Sequence, residues 1–404
     1  MAEKVVLAYS GGLDTSVAIR WIHERYGMDV ITLTADLGGD GTVDGVREKA
    51  LRAGAVSAHV ADVRDRFVRS YVFPALQAGA LYQGVYPLAT ALGRPLIARL
   101  LVDTARKEGA SAVAHGCTGK GNDQVRLDVS IQALAPDLKV VAPAREWEMT
   151  DRAVEIAYAK KHGIPVPVTV DRPYSVDENL WGRSVEGGVL EDSWAEPPEE
   201  VYAWTRSVKD APGEPAYVEI AFARGVPVAL DGEELDGVSL IRHVNAVAGL
   251  HGVGRIDHME DRLVGIKSRE IYEAPAATVL GQAHRALEAL TLSKDQLRFK
   301  ARVAQEYADL IYNGLWFTAM RQDLAAYVSS TQRYVSGTVR VRLHKGTSTV
   351  VGRQSEASLY RRDLSTYGDD DAFRHSAAEG FIHLWGLSAR TQAQAQPLAQ
   401  DEEL

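Results

Sequence analysis

A short apolar run near the start of the chain leads directly into a glycine-containing loop and then an amphipathic segment. Lys4 to Tyr9 predicts a strand, Ser10-Gly11-Gly12-Leu13-Asp14-Thr15-Ser16 predicts a loop, and residues 14–26 predict a helix. Glycines let the backbone come close to an anion. The unpaired amides and partial positive charge of a helix N-terminus also favour a phosphate. The sequence therefore predicts a strand–loop–helix unit that binds phosphate groups.

The same alternation of short apolar runs and longer amphipathic runs continues through the first 165 residues. Further strands are predicted at 29–34, 58–63, 112–115 and 139–142, and further helices at 43–53, 64–78, 88–108 and 151–162. Strands and helices at this spacing predict βαβ units, and hence a doubly wound α/β domain over residues 1–167. Ligands of such sheets lie beyond the carboxyl ends of the strands, which brings Ser10–Ser16, 35–40 and Gly116–Arg126 to one rim.

The proline-containing segment 166–173 predicts a domain boundary, and the pattern changes after it. An α+β domain is predicted over residues 168–365, with strands at 216–222, 226–230, 333–343 and 347–352 and helices at 276–291 and 298–326. The polar tail 366–404 is predicted to carry a helix at 371–385 that packs on a neighbouring subunit. Trp181, Trp194 and Trp204 are interpreted as packing residues.

Charge and cysteine content narrow the classes of function. The formal net charge is -9 and the pI is about 5.7, which argues against a nucleic-acid partner. The single cysteine, Cys117, excludes an intrachain disulfide and a metal site built from several thiolates. No apolar stretch approaches the roughly 20 residues of a membrane span. A cytoplasmic protein without a membrane partner is expected.

The nine-residue string Ala8 to Ser16 is more specific than a glycine turn that caps a helix, which is the alternative interpretation. It is not a Walker A loop, because no lysine is present to reach a γ-phosphate. It resembles the loop of the N-type ATP pyrophosphatases. That resemblance implies that the β- and γ-phosphates of ATP are held as leaving pyrophosphate while the α-phosphorus is attacked. Asp14 can help to bind Mg²⁺ on the phosphates.

A second glycine-containing motif runs from His115 to Arg126 and enters a predicted helix. Three glycines lie among a lysine, an arginine, an aspartate, an asparagine and a threonine. Such a set can hold an amino acid, with cations for carboxylates and Asp123 for an ammonium group. The alternative is a flexible loop with solvated charges. Lys120 is a plausible anion contact, and His115 is either a catalytic acid or base or a packed histidine at a strand end.

Together with three further segments, these motifs resemble the argininosuccinate synthase family over most of the chain. The further segments are Tyr86–Ala98, Pro173–Ser175 with Asn179–Gly188, and Glu260–Glu273. The resemblance implies that citrulline, aspartate and ATP are converted to argininosuccinate, AMP and pyrophosphate through citrullyl-AMP. It also implies a homotetramer. Glu270, Ala274, Ala276 and Ala277 depart from the glycine and threonine expected near Tyr272.

The resemblance also implies roles for individual residues. The ATP-binding residues are Ala8, Tyr9, Ser10, Gly11, Gly12, Leu13, Asp14, Thr15, Ser16, Ala35 and Gly116. The aspartate-binding residues are Thr118, Asn122 and Asp123. The citrulline-binding residues are Tyr86, Thr90, Asn122, Arg126, Ser175, Ser184, Glu260 and Tyr272, with Ala91 an alternative to Thr90. Asp14, Asp123 and Arg126 are expected to be catalytic. Lys267 and Arg269 form either a phosphate site or a contact between subunits or domains.

Two other functions fit parts of the pattern. Another member of the same superfamily would need residues 116–126 and 172–188 to bind a different acceptor. A nucleotide sensor would bind ATP on this fold without turnover, which the polar motifs of the second domain argue against.

Overall fold

The computed structural model describes residues 2–39, 45–149, 151–164 and 174–396. The chain divides into two compact units, Met1–Ala357 and Ser358–Leu404. The predicted boundary segment 166–173, Asp40 and residues 397–404 lie outside the described residues. Within the described parts of the chain, no helix is both long and apolar enough to cross a bilayer.

A five-stranded parallel sheet forms the first part of the larger unit. Its strands are β1 (Lys4–Ala8), β2 (Asp29–Asp36), β3 (Ser57–Asp62), β4 (Ala112–Ala114) and β5 (Lys139–Val141). They lie in the order β3-β2-β1-β4-β5. Val5 and Leu7 pack into one apolar cluster and Val6 into another, so β1 is covered on both faces. The doubly wound α/β prediction is confirmed.

Helices connect and cover these strands. They are α1 (Leu13–Tyr26), α2 (Val46–Arg52), α3 (Arg64–Phe67), α4 (Phe73–Ala78), α5 (Ala89–Glu108), α6 (Asn122–Leu134), α7 (Pro143–Glu146) and α8 (Arg152–Lys161), with a π-helical turn over Val68–Val72 between α3 and α4. The chain reverses at the carboxyl ends of β1 and β4, and α1 and α6 begin there. The two predicted ligand loops therefore meet at one rim, as expected for parallel strands.

A four-stranded antiparallel sheet follows, which the sequence analysis missed. Its strands are β6 (Ser175–Asn179), β7 (Gly182–Glu186), β11 (Arg255–Asp261) and β12 (Lys267–Glu273). They lie in the order β11-β12-β7-β6. Alternation places Ser184 and Glu186 on one face of β7, and Glu270 and Tyr272 on the same face of β12. A polar face on a sheet that packs inside the protein indicates that the sheet forms part of a ligand-binding site.

A second antiparallel sheet is built from β8 (Ala216–Ala223), β9 (Val226–Leu230), β10 (Glu233–Glu234), β13 (Gly337–His344) and β14 (Thr347–Gln354). Its order is β10-β9-β8-β13-β14. The predicted hairpin is present, and Lys345 and Gly346 turn with positive φ angles as a two-residue hairpin loop requires. The predicted strand start at Arg333 is wrong, because residues 332–334 form a 3-10 turn and β13 begins at Gly337.

The remaining helices of this unit are α9 (Gly237–Leu250), α10 (Pro275–Thr291), α11 (Lys294–Tyr312) and α12 (Ala319–Thr331). The single helix predicted at 298–326 is therefore wrong. The break occurs at Gly314, whose φ is +75°, and a Cβ atom there would lie 2.7 Å from the Cα atom of Arg126. Only glycine fits that approach, so the helix ends where the chain passes α6.

The smaller unit contains three short helices, α13 (Arg362–Ser365), α14 (Ala377–Trp385) and α15 (Leu387–Ala395). None of the described residues of these helices is buried. Of the tryptophans interpreted as packing residues, Trp181 is buried but Trp194 is 95% exposed, so the interpretation is wrong for Trp194.

Candidate active site

A polar cavity of about 370 Å³ lies between the rim of the parallel sheet and the polar face of the four-stranded sheet. The residues that line it are Ser10, Tyr86, Thr90, Arg94, Gly116, Gly121, Asn122, Asp123, Arg126, Ser175, Asp177, Ser184, Glu186, Glu260, Arg262, Glu270 and Tyr272. The lining thus combines five segments that are separated in sequence. We call this cavity the polar pocket.

The glycine loop opens into the polar pocket at Ser10. Gly11 has a φ of +78°, a left-handed conformation that glycine adopts at no steric cost. Gly12 is the N-cap of α1, and no side chain caps this helix end. The amides of the first turn are therefore free for an anion. The hydroxyl of Ser10, in the loop, lies 3.2 Å from that of Thr15, in the first turn of α1.

The first turn of α6 places three polar side chains at the opposite wall. Asn122, Asp123 and Arg126 occupy positions one, two and five of the helix, and the spacing of three residues puts Asp123 and Arg126 on the same side. Nη1 of Arg126 donates to Oδ1 of Asp123 at 2.9 Å. Nη2 of Arg94, from α5, donates to Oδ2 of Asp123 at 2.7 Å and also bonds Asp177 of β6. A chain of alternating charges thus joins α6, α5 and the four-stranded sheet.

These contacts set the charge of Asp123. Burial alone would raise the pKa of Asp123, but the guanidinium groups of Arg94 and Arg126 outweigh it and lower the pKa to about 2. Asp123 is therefore an anion over the whole physiological pH range.

Arg126 is buried and has one donor to spare. Its Nε donates to the backbone oxygen of Tyr312 at 2.8 Å, and its guanidinium lies 4.6 Å from the centre of the Tyr312 ring. Within the described residues, its buried Nη2 atom has no hydrogen-bond partner. An unpaired buried cationic donor is costly, so this nitrogen is suited to bind an acceptor atom of an anionic ligand.

Glu260 is the centre of a buried hydrogen-bond network. Tyr272 donates to Oε2 of Glu260 at 2.5 Å, and Tyr312 donates to Oε1 at 2.6 Å. Nδ2 of Asn122 donates to the Tyr312 hydroxyl at 2.9 Å. Tyr86 stacks on Tyr272, with 4.1 Å between the ring centres. The network fixes the wall formed by these rings, and burial raises the pKa of Tyr272, which stays a neutral donor.

Two glutamates share one guanidinium at the edge of the polar pocket. Nη2 of Arg262 donates to Oε1 of Glu270 at 3.0 Å and also bonds Glu186. Burial and the neighbouring charge of Glu186 raise the pKa of Glu270 to about 9. Nη1 of Arg262 approaches the backbone oxygen of Lys120 at 3.5 Å, which ties this edge to the second glycine motif.

Asp14, the residue considered for Mg²⁺, lies next to Glu155 of α8. Burial and the neighbouring Asp14 raise the pKa of Glu155 to about 7. Among the described residues, no group of three or more histidines, cysteines, aspartates or glutamates could by itself hold a metal ion. One or two carboxylates together with nucleotide phosphates are a usual setting for Mg²⁺, so this pair fits an ion that arrives with a nucleotide.

The structure brings together most of the residues singled out from the sequence. Ser10, Gly116 and all of the suggested citrulline residues line the polar pocket, including Thr90, whereas the alternative Ala91 does not. Of the three residues expected to bind aspartate, Asn122 and Asp123 line the pocket, whereas Thr118 lies in the exposed loop before Gly121. Ala35 lies at the carboxyl end of β2.

Three single residues are now accounted for. His115 is buried, its Nε2 lies 2.7 Å from Asp128 Oδ1, and its Nδ1 accepts from the amide of Cys117, as expected for a packed histidine. Lys267 pairs with Asp261 at 2.5 Å. Arg269 pairs with Asp257 at 2.6 Å and donates to two backbone carbonyls. Both cations are thus engaged by nearby groups of the same chain, which argues against a phosphate site, and the role between subunits or domains stays a prediction.

Several pocket residues received no role from the sequence. They are Arg94, Asp177, Glu186, Arg262 and Glu270 in the lining, with Tyr312 behind it. Arg94, Glu186, Arg262 and Glu270 lie inside the quoted motifs, so their polarity could have marked them. Tyr312 lies at the end of α11, 186 residues from Arg126, and carries no local motif.

Comparison with known proteins gives a consistent result over the whole chain. The family model of the arginosuccinate synthase N-terminal HUP domain matches residues 4–165, and that of the C-terminal domain matches residues 174–392. An argininosuccinate synthase of Dehalococcoides mccartyi is 60% identical over 403 residues, which cover 100% of this chain and 99% of that protein. The argininosuccinate synthase of Gloeobacter violaceus is 60% identical over 394 residues, covering 97% and 99%.

Proposed function

The chain belongs to the argininosuccinate synthase family of ATP-dependent ligases, and from this premise we propose that the polar pocket is where citrulline is activated by ATP and joined to aspartate. The products are argininosuccinate, AMP and pyrophosphate. The observation that carries the proposal is the meeting, in one cavity, of Ser10 from the phosphate loop with the polar walls of α6 and the four-stranded sheet.

The reaction has two displacement steps. The ureido oxygen of citrulline attacks the α-phosphorus of ATP, the bond to the bridging oxygen breaks, and pyrophosphate leaves with its electron pair. The amine nitrogen of aspartate, after losing a proton, then attacks the ureido carbon, and the carbon–oxygen bond to AMP breaks. Neither step needs a nucleophile from the protein, so positioning and charge stabilisation carry the catalysis.

The phosphate loop binds the triphosphate. Free amides at the uncapped N-terminus of α1 point to the β- and γ-phosphates, and they neutralise the charge that develops on departing pyrophosphate. Asp14, with Glu155 beside it, is the carboxylate that would hold a Mg²⁺ ion on the phosphates. That ion, when bound, neutralises phosphate charge.

Arg126 binds the carboxylate of citrulline. Its spare Nη2 donor is buried, and a carboxylate oxygen supplies the missing acceptor. Asn122, held by Tyr312 and by the amide of Leu263, fixes the same end of the substrate. Tyr272 and Tyr86 form the stacked wall along which the side chain lies.

Asp123 binds the ammonium group of aspartate. It is ionised and lies at the start of α6, in the same helical turn as Arg126. The adjacent Arg94 provides a positive charge for a carboxylate of the same substrate. Thr118, in the exposed loop before α6, completes the aspartate site.

An isotope experiment tests the proposal directly. Citrulline labelled with ¹⁸O in the ureido group should transfer the label to the phosphate of AMP, and AMP should form only when citrulline is present. Mass spectrometry of AMP from complete and single-omission mixtures measures both. AMP formed equally well without citrulline, or AMP free of label, would refute the chemistry.

We also propose that the chain forms a homotetramer in the cytoplasm. Phe381, Ile382, Leu384 and Trp385 of α14 are exposed, and large apolar side chains grouped on one helix typically mark a protein interface. Light scattering of the purified protein should give four times the mass of 44.0 kDa. Replacing Phe381 and Trp385 by glutamate should lower that mass, and an unchanged mass would exclude α14 from the interface.

A further inference from the structure

Two sides of α6 carry different polar side chains. Asp123 and Arg126 line the polar pocket. Gln124 and Asp128 lie four residues apart and therefore share another side of the helix. Because an α-helix turns once in about 3.6 residues, the two pairs point in nearly opposite directions. Gln124 and Asp128 thus belong to a second polar cluster, outside the pocket.

His115 joins this cluster to the loop of residues 116–121 that precedes α6. Its Nε2 lies 2.7 Å from Asp128 Oδ1, and its Nδ1 accepts from the amide of Cys117 at 3.2 Å. A ring nitrogen that accepts carries no proton, so the ring hydrogen is on Nε2 and points to the carboxylate. Asp128 therefore orients the ring, and the ring holds the Cys117 amide.

Gln124 holds the middle of the same loop. Its Nε2 donates to the backbone oxygen of Gly119 at 2.5 Å. Nη1 of Arg145, from α7, donates to Gln124 Oε1 at 3.3 Å and to Asp128 Oδ2 at 2.8 Å. Because Arg145 occupies the amide oxygen, the amide nitrogen is left to face Gly119. Both contacts to the loop therefore end on the ion pair of Asp128 with Arg145.

This ion pair is only partly open to water. The side chain of Asp128 is 18% exposed and that of Arg145 is 34% exposed. Burial alone would raise the pKa of Asp128, but the hydrogen bonds from His115 and Arg145 outweigh it and lower the pKa. Asp128 therefore stays ionised and accepts from both donors. We call this cluster the loop clamp; its members are His115, Gln124, Asp128 and Arg145.

Thr118 lies between the two loop residues that the loop clamp holds, Cys117 and Gly119. Three of the six residues 116–121 are glycine, so the loop has much conformational freedom to lose. Its internal turn is a single bond of 3.3 Å, from the amide of Gly121 to the oxygen of Thr118. The position of Thr118 therefore depends on contacts from outside the loop.

We propose that the loop clamp sets the position of Thr118 for the aspartate substrate. This inference rests on the proposed function, because it needs aspartate at Thr118. None of the four members lines the polar pocket. They act through the backbone of the loop and are therefore positioning residues. Citrulline is bound by other elements, so the effect should be selective for aspartate.

The two nitrogens of His115 can be replaced one at a time. His115→Asn places an amide oxygen near the position of Nδ1, where it can accept from the Cys117 amide. His115→Gln reaches toward Asp128 and leaves that amide without an acceptor. We expect the KM for aspartate to rise about tenfold in His115→Gln and less than about threefold in His115→Asn, because an unpaired buried donor is costly.

Steady-state AMP formation measures both variants with each amino acid varied in turn. The KM for citrulline should stay within about twofold of wild type in both, since the loop clamp acts on the aspartate site. Equal KM values for aspartate in the two variants, or a parallel rise in the KM for citrulline, would overturn the role of His115.

A double-mutant cycle tests whether Asp128 acts through Thr118. Asp128→Ala and Thr118→Ala are measured singly and together. Each should raise the KM for aspartate, and the double variant should stay within about twofold of the larger single effect, because both changes remove the same contact. A purely structural role of Asp128 would instead give additive effects. Additive effects, or no effect of Thr118→Ala, would overturn the proposal.

Hydrogen–deuterium exchange tests the loop clamp without substrates. The loop 116–121 should exchange faster in Asp128→Ala than in wild type, as measured by mass spectrometry of its peptide. Asp137→Ala is the matched control, because Asp137 forms an exposed pair with Arg106 and should leave the exchange of the loop unchanged.

AMP formation by wild type, dependent on citrulline and aspartate, is scored on its own. Its absence would refute the proposed function. Its presence, together with unchanged loop exchange in Asp128→Ala, would refute only the loop clamp.

Discussion

Arg94 and Asp123 form an ion pair in the wall of the polar pocket, with 2.7 Å between Nη2 and Oδ2. The same nitrogen of Arg94 contacts Asp177 on the four-stranded sheet. An ammonium group that approaches Asp123 therefore meets a carboxylate already held by arginine. In the proposed aspartate site, the ammonium group of the substrate would share Asp123 while one of its carboxylates contacts Arg94.

The first prediction concerns this aspartate site. Asp123→Ala should raise the KM for aspartate by about thirtyfold or more, because loss of one partner of a desolvated charge pair costs about 2–5 kcal/mol. The affinity for a non-hydrolysable ATP analogue should stay within about twofold, since the phosphate loop lies on another element. Initial rates and equilibrium titration measure the two quantities.

Asp137→Ala is the matched control for this substitution. Asp137 follows α6 and pairs with Arg106 in an exposed position, so its removal should leave the KM for aspartate unchanged. An unchanged aspartate KM in Asp123→Ala as well would remove Asp123 from the site.

The second prediction concerns the phosphate loop. Gly12→Val should abolish measurable ATP binding, because the side chain enters the space before the free amides of α1. Backbone strain does not explain such a loss. Gly12 has a φ of −76°, and a Cβ atom there would lie 3.4 Å from Ser10 Oγ. Calorimetric titration with the ATP analogue measures the effect.

Gly213→Val is the control for a valine placed on an open surface, since a Cβ atom at Gly213 meets nothing within 4 Å. It should bind the analogue normally. If Gly12→Val also binds it normally, the loop does not approach the phosphates.

The third prediction concerns stability. Glu273 is fully buried and accepts hydrogen bonds from Arg183, from the amides of Ala203, Trp204 and Thr205, and from the Thr205 hydroxyl. Glu273→Gln removes the charge and turns one acceptor into a donor that faces other donors. We expect a loss of about 3–5 kcal/mol in the free energy of unfolding, as for other broken buried ion pairs.

Urea unfolding of Glu273→Gln and Glu219→Gln measures this loss against an exposed glutamate. The exposed pair of Glu219 with Arg340 should contribute less than about 1 kcal/mol. Equal unfolding midpoints for the two variants would show that the Glu273 network does not stabilise the fold.

The sequence predicts the parallel-sheet half well and the site only in part. Apolar runs such as Val5–Leu7 are buried on both faces, so their pattern is strong. Strand β12 has the mostly polar sequence Lys-Ser-Arg-Glu-Ile-Tyr-Glu. It is polar because one of its faces lines the polar pocket and the other carries ion pairs. That sequence lacks the apolar alternation that marks a strand. The missed sheet and the missed pocket residues Glu186 and Glu270 thus have one cause.

The break after α11 escaped prediction for a different reason. The helical pattern of 298–326 is continuous, and the requirement for Gly314 arises only from its approach to Arg126, which is distant in sequence. Tyr312 enters the site through the same contact. Such constraints come from packing between elements, which local patterns do not contain.

The last prediction concerns the proton on the Glu186–Glu270 pair. Glutamate in the unfolded chain has a pKa of about 4.3, and burial together with Glu186 raises the pKa of Glu270 to about 9 in the fold. Between these values the folded state holds a proton that the unfolded state has lost. The stabilisation is therefore complete below pH ~4.3 and is lost as the pH rises through about 9.

Relative to Glu270→Gln, wild type should lose several degrees of Tm between pH 6 and pH 9. The groups that face Glu270 are Glu186, Arg262, Glu260 and His258. All four are present in both proteins, so the difference in Tm reports the replacement of Glu270. Thermal unfolding followed by circular dichroism measures it without substrate, and a difference that is constant from pH 6 to pH 9 would show that Glu270 is already ionised at neutral pH.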